Sequence, residues 1–232
     1  MSRIGLAGSP GKSGLKVKNN SVFNELENRS RTFAKAACGD ETRLGRISRG
    51  LGDFQRISLD GTMKEPLRIG ILADTHLSAD GEALGFLAAL ENTCFAGVDL
   101  ILHAGDLVDP DIRHAFTRCP VLAVRGNMDP PAADLPEQRV VETGHVRIGL
   151  RHGWGAVCDL EDRLLETFRQ EALDVLVYGH SHRPVCHWRN GILLFNPGSA
   201  ADRRGMPYHS VGLLEIGDRI EGRIIPIDGW RS

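Results

Sequence analysis

The segment VLVYGHSHRP, Val175–Pro184, decides the fold, because an apolar run typical of a buried strand ends in a glycine and two histidines. Near-continuous apolar runs of this kind suit strands that are covered on both faces. His180 and His182 follow Gly179 with a single serine between them. A solvated loop does not need two imidazoles, and a protein core rarely contains them. The pattern therefore indicates a functional turn at the end of a strand.

Four similar apolar runs precede this one, and helical patterns lie between several of them. The predicted strands cover residues 67–73, 98–104, 120–125, 146–151 and 173–178. Helices are predicted from Asp80, from Asp109 with Pro110 at the first helical position, and over residues 159–172. The last strands form hairpins, one over residues 185–196 and a second across the Gly217-Asp218 dipeptide. Strands that alternate with helices and then give way to hairpins predict a layered α/β domain with two sheets.

Residues 1–65 differ in composition from the remainder of the chain. They carry a net charge of +5, whereas residues 66–232 carry −7. They lack a sustained hydrophobic period, so we expect a mostly disordered basic extension over 1–65, with a short helix near 21–37 as an option, followed by one domain over 66–232. A solvated tail is the simplest interpretation, and a contact with nucleic acid or a protein partner is left open without support.

The five cysteines are scattered and never form a C-x-x-C pair. This pattern favours a reducing compartment and argues against a disulfide framework or a thiolate zinc site. No apolar run approaches the roughly 18 residues of a membrane-spanning helix, and the N-terminal residues lack the apolar segment of a secretion signal. We therefore expect a cytoplasmic protein with no membrane partner.

Polar residues with metal-binding side chains follow each of the five predicted strands at once. They are Asp74 and His76 after the first strand, Asp106 after the second, Asn127 and Asp129 after the third, His152 after the fourth, and His180 and His182 after the fifth. Ligands of open α/β sheets bind beyond the carboxyl ends of the strands, so these side chains are expected to gather at one edge. Imidazoles and carboxylates without a thiolate suit Mn, Fe, Ni, Co or Zn in a catalytic role.

These motifs, D-x-H, G-D, G-N, H-G and G-H-x-H in this order, resemble those of the calcineurin-like metallophosphoesterase superfamily. The stretches VRGNMD, GHSHRP and LFNPGSAADRRG are similar to its small bacterial and archaeal phosphodiesterase branch, which also contains a eukaryotic retromer subunit. The similarity extends from Leu67 to the C-terminus. It implies a four-layer α/β/β/α sandwich with two mixed sheets and a dinuclear metal site.

The resemblance also implies a role for each ligand. The implied ligands are Asp74, His76 and His182 for the first ion, Asp106 for both ions, and Asn127, His152 and His180 for the second. Two divalent ions are expected, manganese first, with nickel, iron, cobalt or zinc as alternatives. A hydroxide that bridges the two ions would attack phosphorus. The backbone of the NPGS element, Asn196–Ser199, is expected to shape the rim of the site.

One position departs from the family pattern. Many members have G-N-H-[DE], in which the histidine is thought to protonate the leaving group, whereas Met128 stands here. A thioether cannot donate a proton, so a modest rate or proton delivery by water or another side chain is expected. We assign Asn127 and Asp129 as catalytic residues, with a structural role for Asp129 left open.

Three residues near the motifs are candidates for contact with the substrate. Arg125 is predicted to bind a phosphate, with an ion pair to an acid as the alternative. His103 is predicted to line the site, with simple packing as the alternative. Trp154 either forms an aromatic wall for a substrate base or packs against the protein.

The function predicted from these residues is metal-dependent hydrolysis of a phosphoric ester, with a small phosphodiester or nucleotide-like molecule as the substrate. A phosphomonoesterase or a nucleotide pyrophosphatase on the same site is one alternative. A catalytically weak scaffold of the same fold, docking through its N-terminal extension, is another. The complete set of seven ligands favours an enzyme, and the sequence leaves a homo-oligomer open.

Overall fold

The computed structural model describes residues 66–131 and 134–227, together with two short strands at residues 47–49 and 54–58. Within these ranges the chain forms strands and helices that alternate and then give way to hairpins. The strands are β1 (Ile47–Arg49), β2 (Phe54–Ser58), β3 (Leu67–Leu72), β4 (Leu100–His103), β5 (Val121–Ala123), β6 (Gln138–Thr143), β7 (Val146–Arg151), β8 (Val175–Val177), β9 (Val185–Arg189), β10 (Ile192–Asn196), β11 (His209–Ile216) and β12 (Ile220–Ile227). The α-helices are α1 (Gly81–Asn92) and α2 (Leu160–Thr167), and 3-10 helices cover Pro110–Ala115 and Val157–Asp159.

The strands are arranged in two mixed sheets. The five-stranded sheet has the order β12-β11-β3-β4-β5, in which β3, β4 and β5 are parallel to one another. The seven-stranded sheet has the order β1-β2-β6-β7-β8-β10-β9, in which β7, β8 and β10 are parallel. Each sheet therefore has a set of parallel strands whose carboxyl ends lie at the same edge.

The two sheets pack face to face over a continuous apolar core. Ile69 and Leu102 of one sheet belong to the same buried cluster as Ile148 and Val175 of the other. The neighbouring residues Ile101 and Leu176 lie on the outer faces, because side chains alternate along a strand. Both faces of the central strands are thus covered, which explains their near-continuous apolar sequence.

Helices cover both outer faces and complete the predicted α/β/β/α sandwich. Leu87 of α1 packs with Ile101 outside the five-stranded sheet. Leu160 and Leu164 of α2 pack with Leu176 outside the seven-stranded sheet. No helix in the described ranges has both the length and the apolar character needed to cross a membrane.

The helix starts are as the sequence predicts at two of three positions. The Asp80 carboxylate accepts hydrogen bonds from the first turn of α1, and Asp109 accepts one from Asp111 before a helix that is 3-10 and not α. The Asp159 carboxylate makes no capping bond and instead pairs with Arg163. The helix predicted over residues 159–172 is also too long, since α2 ends at Thr167.

Three strands were not expected from the sequence. Strand β6 forms a tight hairpin with β7, and β2 adds to the other side of β6 in a parallel register from Phe54 opposite Gln138 to Ser58 opposite Glu142. Strand β1 pairs with β2 at the edge. The segment expected to be mostly disordered therefore contributes two strands to the sheet. The helix suggested near residues 21–37 lies outside the described residues.

Candidate metal centre

The loops that leave β3, β4, β5, β7 and β8 meet at the carboxyl ends of these strands. Three of these strands belong to the five-stranded sheet and two to the seven-stranded sheet. Hydrogen bonds join the loops across the sandwich, including one from the His180 amide to Asp74 Oδ1 at 3.1 Å. The sandwich thus brings together side chains that are up to 108 positions apart in the sequence, those of Asp74 and His182.

Asp74, His76 and His182 form one group that could hold an ion. His76 Nε2 lies 3.2 Å from His182 Nε2, and His182 Nε2 lies 3.4 Å from Asp74 Oδ1. Two ligands at about 2.1 Å from one ion are separated by roughly 3.0–3.4 Å. The three side chains are therefore spaced as ligands of a single cation.

Asp74, Asp106 and His152 form a second group, which shares Asp74 with the first. His152 Nε2 lies 3.3 Å from Asp106 Oδ2 and 3.8 Å from Asp74 Oδ1. Asp106 Oδ2 is also 3.6 Å from His76 Nε2, so this carboxylate faces an imidazole from each group. Asp106 lies where a bridging ligand is expected, and Asp74 reaches the second group as well.

Asn127 and His180 extend the second group toward solvent. Asn127 Oδ1 is 3.1 Å from His152 Nε2 and 3.2 Å from His180 Nδ1. His180 Nε2 lies 2.8 Å from the Gly155 carbonyl, which can only accept a hydrogen bond. The proton is therefore on Nε2 in this contact, and the lone pair of Nδ1 points toward Asn127. All seven side chains expected as ligands thus lie in one cluster.

Several atoms of the cluster have unsatisfied lone pairs. Asp74 Oδ2 is buried and makes no hydrogen bond within the described part of the chain. His152 Nδ1 bonds to the Ala104 carbonyl and His182 Nδ1 to the Asp202 carbonyl, so both Nε2 atoms are left as acceptors. Acceptors that face carboxylate oxygens repel one another unless a cation or a proton lies between them. The donor set therefore fits divalent cations.

Burial shifts the proton affinity of these groups in the directions that favour their neutral forms. It raises the pKa of Asp74 to about 7, with the Asp106 charge adding to the effect and His152 opposing it. It lowers the pKa of His182 to about 4. Burial also lowers the pKa of His152, but the neighbouring Asp106 and Asp74 carboxylates raise the pKa more. A bound cation would take the place of the protons that otherwise separate these acceptor atoms.

The backbone is left-handed at five of the clustered ligands. These residues have φ between +48° and +70° and are Asp74, His76, Asp106, His180 and His182. Non-glycine residues rarely adopt this conformation, and its strain is often found at functional sites. Two glycines allow the loops to approach this closely: a Cβ at Gly126 would lie 2.1 Å from Asp106 Oδ1, and one at Gly179 would lie 2.9 Å from Asp74 Oδ2.

Asp129 lies behind the cluster. Its Oδ2 accepts hydrogen bonds from the amides of Asp106 and Gly126, at 2.9 and 2.7 Å, and its Oδ1 accepts one from Val108 at 2.7 Å. The carboxylate is 8% exposed and its oxygens point at main-chain donors. Because its oxygens are occupied in holding two loops, the structural role left open for Asp129 is favoured over a catalytic one.

His103 is also removed from the substrate face. It is 1% exposed, its Nε2 lies 3.0 Å from Thr75 Oγ1, and its Nδ1 accepts a hydrogen bond from the Gly105 amide. Burial lowers its pKa to about 3. Both ring nitrogens are therefore bonded within the protein, and almost none of the side chain is exposed. These contacts favour the packing alternative for His103, in which it holds the loops after β3 and β4.

Arg125 and Trp154 line an open cavity of about 330 Å³ next to Asn127 and His152. The Arg125 guanidinium bonds to Glu137 at 2.6 Å, which is the ion pair considered as an alternative. Trp154 is 39% exposed, and the Arg151 guanidinium lies 4.5 Å from its ring centroid. The cavity adjoins the second ligand group and has room for part of a bound molecule.

The loop after β10 holds the centre more directly than the sequence indicated. Ser199 Oγ donates a hydrogen bond to the Asp74 carbonyl at 2.6 Å, and Asn196 Nδ2 donates one to the Gly179 carbonyl at 2.9 Å. The side chains of the NPGS element, and not only its backbone, thus fix two ligand loops. The carbonyl of Asp202, within the same LFNPGSAADRRG stretch, orients His182, a role that its side chain does not signal.

Comparisons with known proteins agree with this fold and cluster. Residues 67–219 match the model of the calcineurin-like phosphoesterase superfamily domain. A probable metallophosphoesterase of Methanocaldococcus jannaschii is 38% identical over 173 residues, which cover 73% of this chain and 84% of the relative. A predicted phosphoesterase of Streptococcus pneumoniae has a similar structure, with a TM-score of 0.58, 23% identity, and coverage of 73% of this chain and 96% of the other.

A structure described as a novel archaeal phosphodiesterase is similar at a TM-score of 0.57, with 22% identity over 69% of this chain and 100% of that chain. At this identity the likeness concerns the fold alone. The match over the length of the domain and the identity to the archaeal relative establish the family. The chain belongs to the calcineurin-like phosphoesterase superfamily.

Proposed function

We propose that this protein is a phosphodiesterase that depends on two divalent metal ions, manganese being preferred. The observation that supports the proposal is the Asp106 carboxylate, whose Oδ2 faces His152 at 3.3 Å and His76 at 3.6 Å. One carboxylate oxygen between two imidazoles from opposite sheets is suited to a shared ligand. Bound metal ions would supply a water of lowered pKa as the nucleophile and neutralise charge on the phosphoryl group.

The chain's own residues then hold the reacting groups. Asp74, His76 and His182 would bind the first ion, and Asn127, His152 and His180 the second, with Asp106 between them. The Ala104 and Asp202 carbonyls hold His152 and His182 with Nε2 free of a proton. Because burial disfavours the charged forms of Asp74 and His182, a bound cation would satisfy their lone pairs without a proton.

Proton delivery to the leaving group is the weak step. Met128 occupies the position of the family histidine, is 55% exposed, and contributes only its amide, which donates to Asp106 Oδ1 at 2.8 Å. Solvent water has access to this position. Diesters with good leaving groups, which need no proton from the enzyme, should therefore be the better substrates.

Hydrolysis of bis-p-nitrophenyl phosphate by the purified chain with Mn²⁺ or Ni²⁺ tests the proposal. Activity is expected for the wild type and for His114→Ala, an exposed histidine away from the cluster, and it should fall at least 100-fold in His182→Ala. About two bound ions per chain are expected by elemental analysis. Equal rates in the wild type and His182→Ala would contradict the proposal.

A phosphomonoesterase or nucleotide pyrophosphatase would use the same ligands. A substrate panel separates them: faster hydrolysis of diesters than of p-nitrophenyl phosphate or nucleotides supports a diesterase. A chain that binds no metal and hydrolyses none of them would instead be a scaffold of this fold. We further propose a cytoplasmic location, in line with the unpaired cysteines among the described residues.

A further inference from the structure

The loop after β10 carries an arginine at the rim of the first ligand group. Ser199 Oγ, which donates to the Asp74 carbonyl, accepts a hydrogen bond from the Asp202 amide at 2.8 Å. The Asp202 carbonyl in turn accepts from His182 Nδ1. The segment around Asp202 is therefore fixed to two of the three ligands in this group.

Arg204 follows two residues later in a left-handed conformation, with φ of +41°. Its Nε lies 3.2 Å from Asp202 Oδ2, and the same oxygen lies 3.7 Å from His182 Nδ1. Asp202 thus holds the guanidinium on one side and His182 on the other. The arginine is anchored near the first ligand group through one nitrogen.

The rest of the guanidinium is available for another partner. The Arg204 side chain is 54% exposed, and its two terminal amino groups form no hydrogen bond with the residues that the structure describes. A planar guanidinium with two free amino groups matches two oxygens of a phosphate. Neighbouring Arg203 differs, because its Nη1 donates to the Met206 carbonyl of its own loop.

The positive charge of Arg204 affects the pKa of all three ligands in the first group. Burial is the largest cause that lowers the pKa of His76 and that of His182, the latter to about 4, and the Arg204 charge contributes to both decreases. Burial raises the pKa of Asp74, and Arg204 opposes this rise. Together with its contact to Asp202, whose carboxylate lies beside His182, this charge places the guanidinium next to the first ligand group.

We propose that Arg204 is a substrate-binding residue that contacts non-bridging oxygens of the phosphoryl group, and that Asp202 positions it. This inference rests on the proposed function, since it names the side chain whose positive charge would bind the anionic phosphoryl group of that substrate. Loss of a charged hydrogen bond of this kind lowers affinity about 10- to 100-fold.

The test compares Arg204→Gln and Arg204→Lys with the matched control Arg203→Gln in the full chain loaded with Mn²⁺. Arg204→Gln should lower kcat/KM for bis-p-nitrophenyl phosphate, and weaken binding of inorganic phosphate measured by calorimetry, each by about 10- to 100-fold. Arg204→Lys should lie between the wild type and Arg204→Gln, and Arg203→Gln should stay within about twofold. Metal content should be unchanged in all three.

Three results with the variants would overturn the inference. They are unchanged phosphate binding in Arg204→Gln, an equal loss in Arg203→Gln, and loss of bound metal in Arg204→Gln, since the last would show support of His182 instead. The phosphate measurement needs no turnover. A wild-type chain that binds phosphate through Arg204 without hydrolysing the diester would contradict only the proposed function, whereas one that binds no phosphate would overturn the inference.

Discussion

The carboxylate of Asp129 is bonded to the main chain of Asp106, with Oδ2 accepting the Asp106 amide at 2.9 Å. The same oxygen accepts the Gly126 amide at 2.7 Å, so one buried group ties the loops after β4 and β5 together. Asp106 has a left-handed φ of +57° that such bonds must maintain. The acid that follows the G-N motif thus holds the main chain of the proposed bridging ligand.

Replacing Asp129 should therefore damage the centre through its geometry. Asp129→Ala leaves three amides without an acceptor, two of them buried, and should lower the free energy of unfolding by about 3 kcal/mol or more, together with metal affinity. Asp129→Asn should retain part of both. Urea denaturation and metal titration measure the two effects, with exposed Asp111→Ala as the control. Unchanged stability with lost activity would restore a direct catalytic role.

Metal removal should destabilise the folded chain. A cation that binds the folded state at 100 times its Kd stabilises it by about 2.7 kcal/mol, or roughly 5–10 °C in the melting temperature at this size. Asp74→Asn keeps an oxygen for the His180 amide but weakens both ligand groups, so it should lose this shift. Asp80→Asn, at the start of α1, should keep it. The same melting temperature in Mn²⁺ and in EDTA would argue against a metal site in this cluster.

His103 should make the chain sensitive to acid. Its folded pKa is about 3 because of burial, whereas an unfolded histidine titrates near 6.5. Between pH 3 and pH 6.5, the unfolded chain binds a proton at this histidine that the folded chain does not bind. Stability from this source is therefore complete above pH 6.5 and falls by up to about 1.4 kcal/mol per pH unit as pH drops toward 3.

Urea denaturation between pH 5 and 7 in EDTA measures this slope. His103→Gln should be less stable at pH 7, since it disturbs the contacts with Thr75 and Gly105. The dependence of its unfolding free energy on pH should be weaker, by the equivalent of up to one proton taken up on unfolding. His114→Gln, at an exposed histidine, is the matched control. Parallel slopes for the wild type and His103→Gln would mean that His103 accepts its proton in the folded state.

The central strands and their ligands were predictable because each strand end carries its own local signal. Asp74, Asp106 and His180 follow buried apolar runs, and the parallel order of those runs brings them to one edge. The resemblance to the superfamily predicted the four layers of the sandwich. The burial of His103 and Asp129 behind the ligands could not be predicted from the sequence. A polar residue next to a motif has the same local sequence whether its side chain faces the site or lies behind it.

Contacts formed by main-chain atoms left no mark in the sequence. The Asp202 carbonyl orients His182, and any residue at position 202 has a carbonyl. Strand β6 has the sequence QRVVET and was not recognised next to a proline-rich loop, although Gly144 marks its turn. The short strands β1 and β2 depend on pairing with β6, a tertiary contact that overrides weak local preference.

The pairing of β2 with β6 leads to a prediction about the domain boundary. All proposed ligands lie after residue 66, so a chain of residues 66–232 should bind Mn²⁺ within about threefold of the full chain. It loses the ladder between β2 and β6 and should be less stable by about 1–3 kcal/mol. A chain of residues 47–232 keeps both strands and should match the full chain. Loss of metal binding by residues 66–232 would move the boundary to include β1 and β2.

Under the proposed function, Met128 at the position of the family histidine should create a demand for a good leaving group, and an imidazole there should relax it. The Met128 amide is held by Asp106 Oδ1 while its side chain is exposed, so Met128→His should place a titratable proton donor at the rim without disturbing the ligands. For diphenyl phosphate, whose leaving group needs a proton, kcat/KM should rise about tenfold or more. For bis-p-nitrophenyl phosphate it should change by less than about threefold. Met128→Gln, polar but unable to transfer a proton, should match the wild type on both substrates; a gain shared by both variants would assign the effect to polarity and not to general acid catalysis.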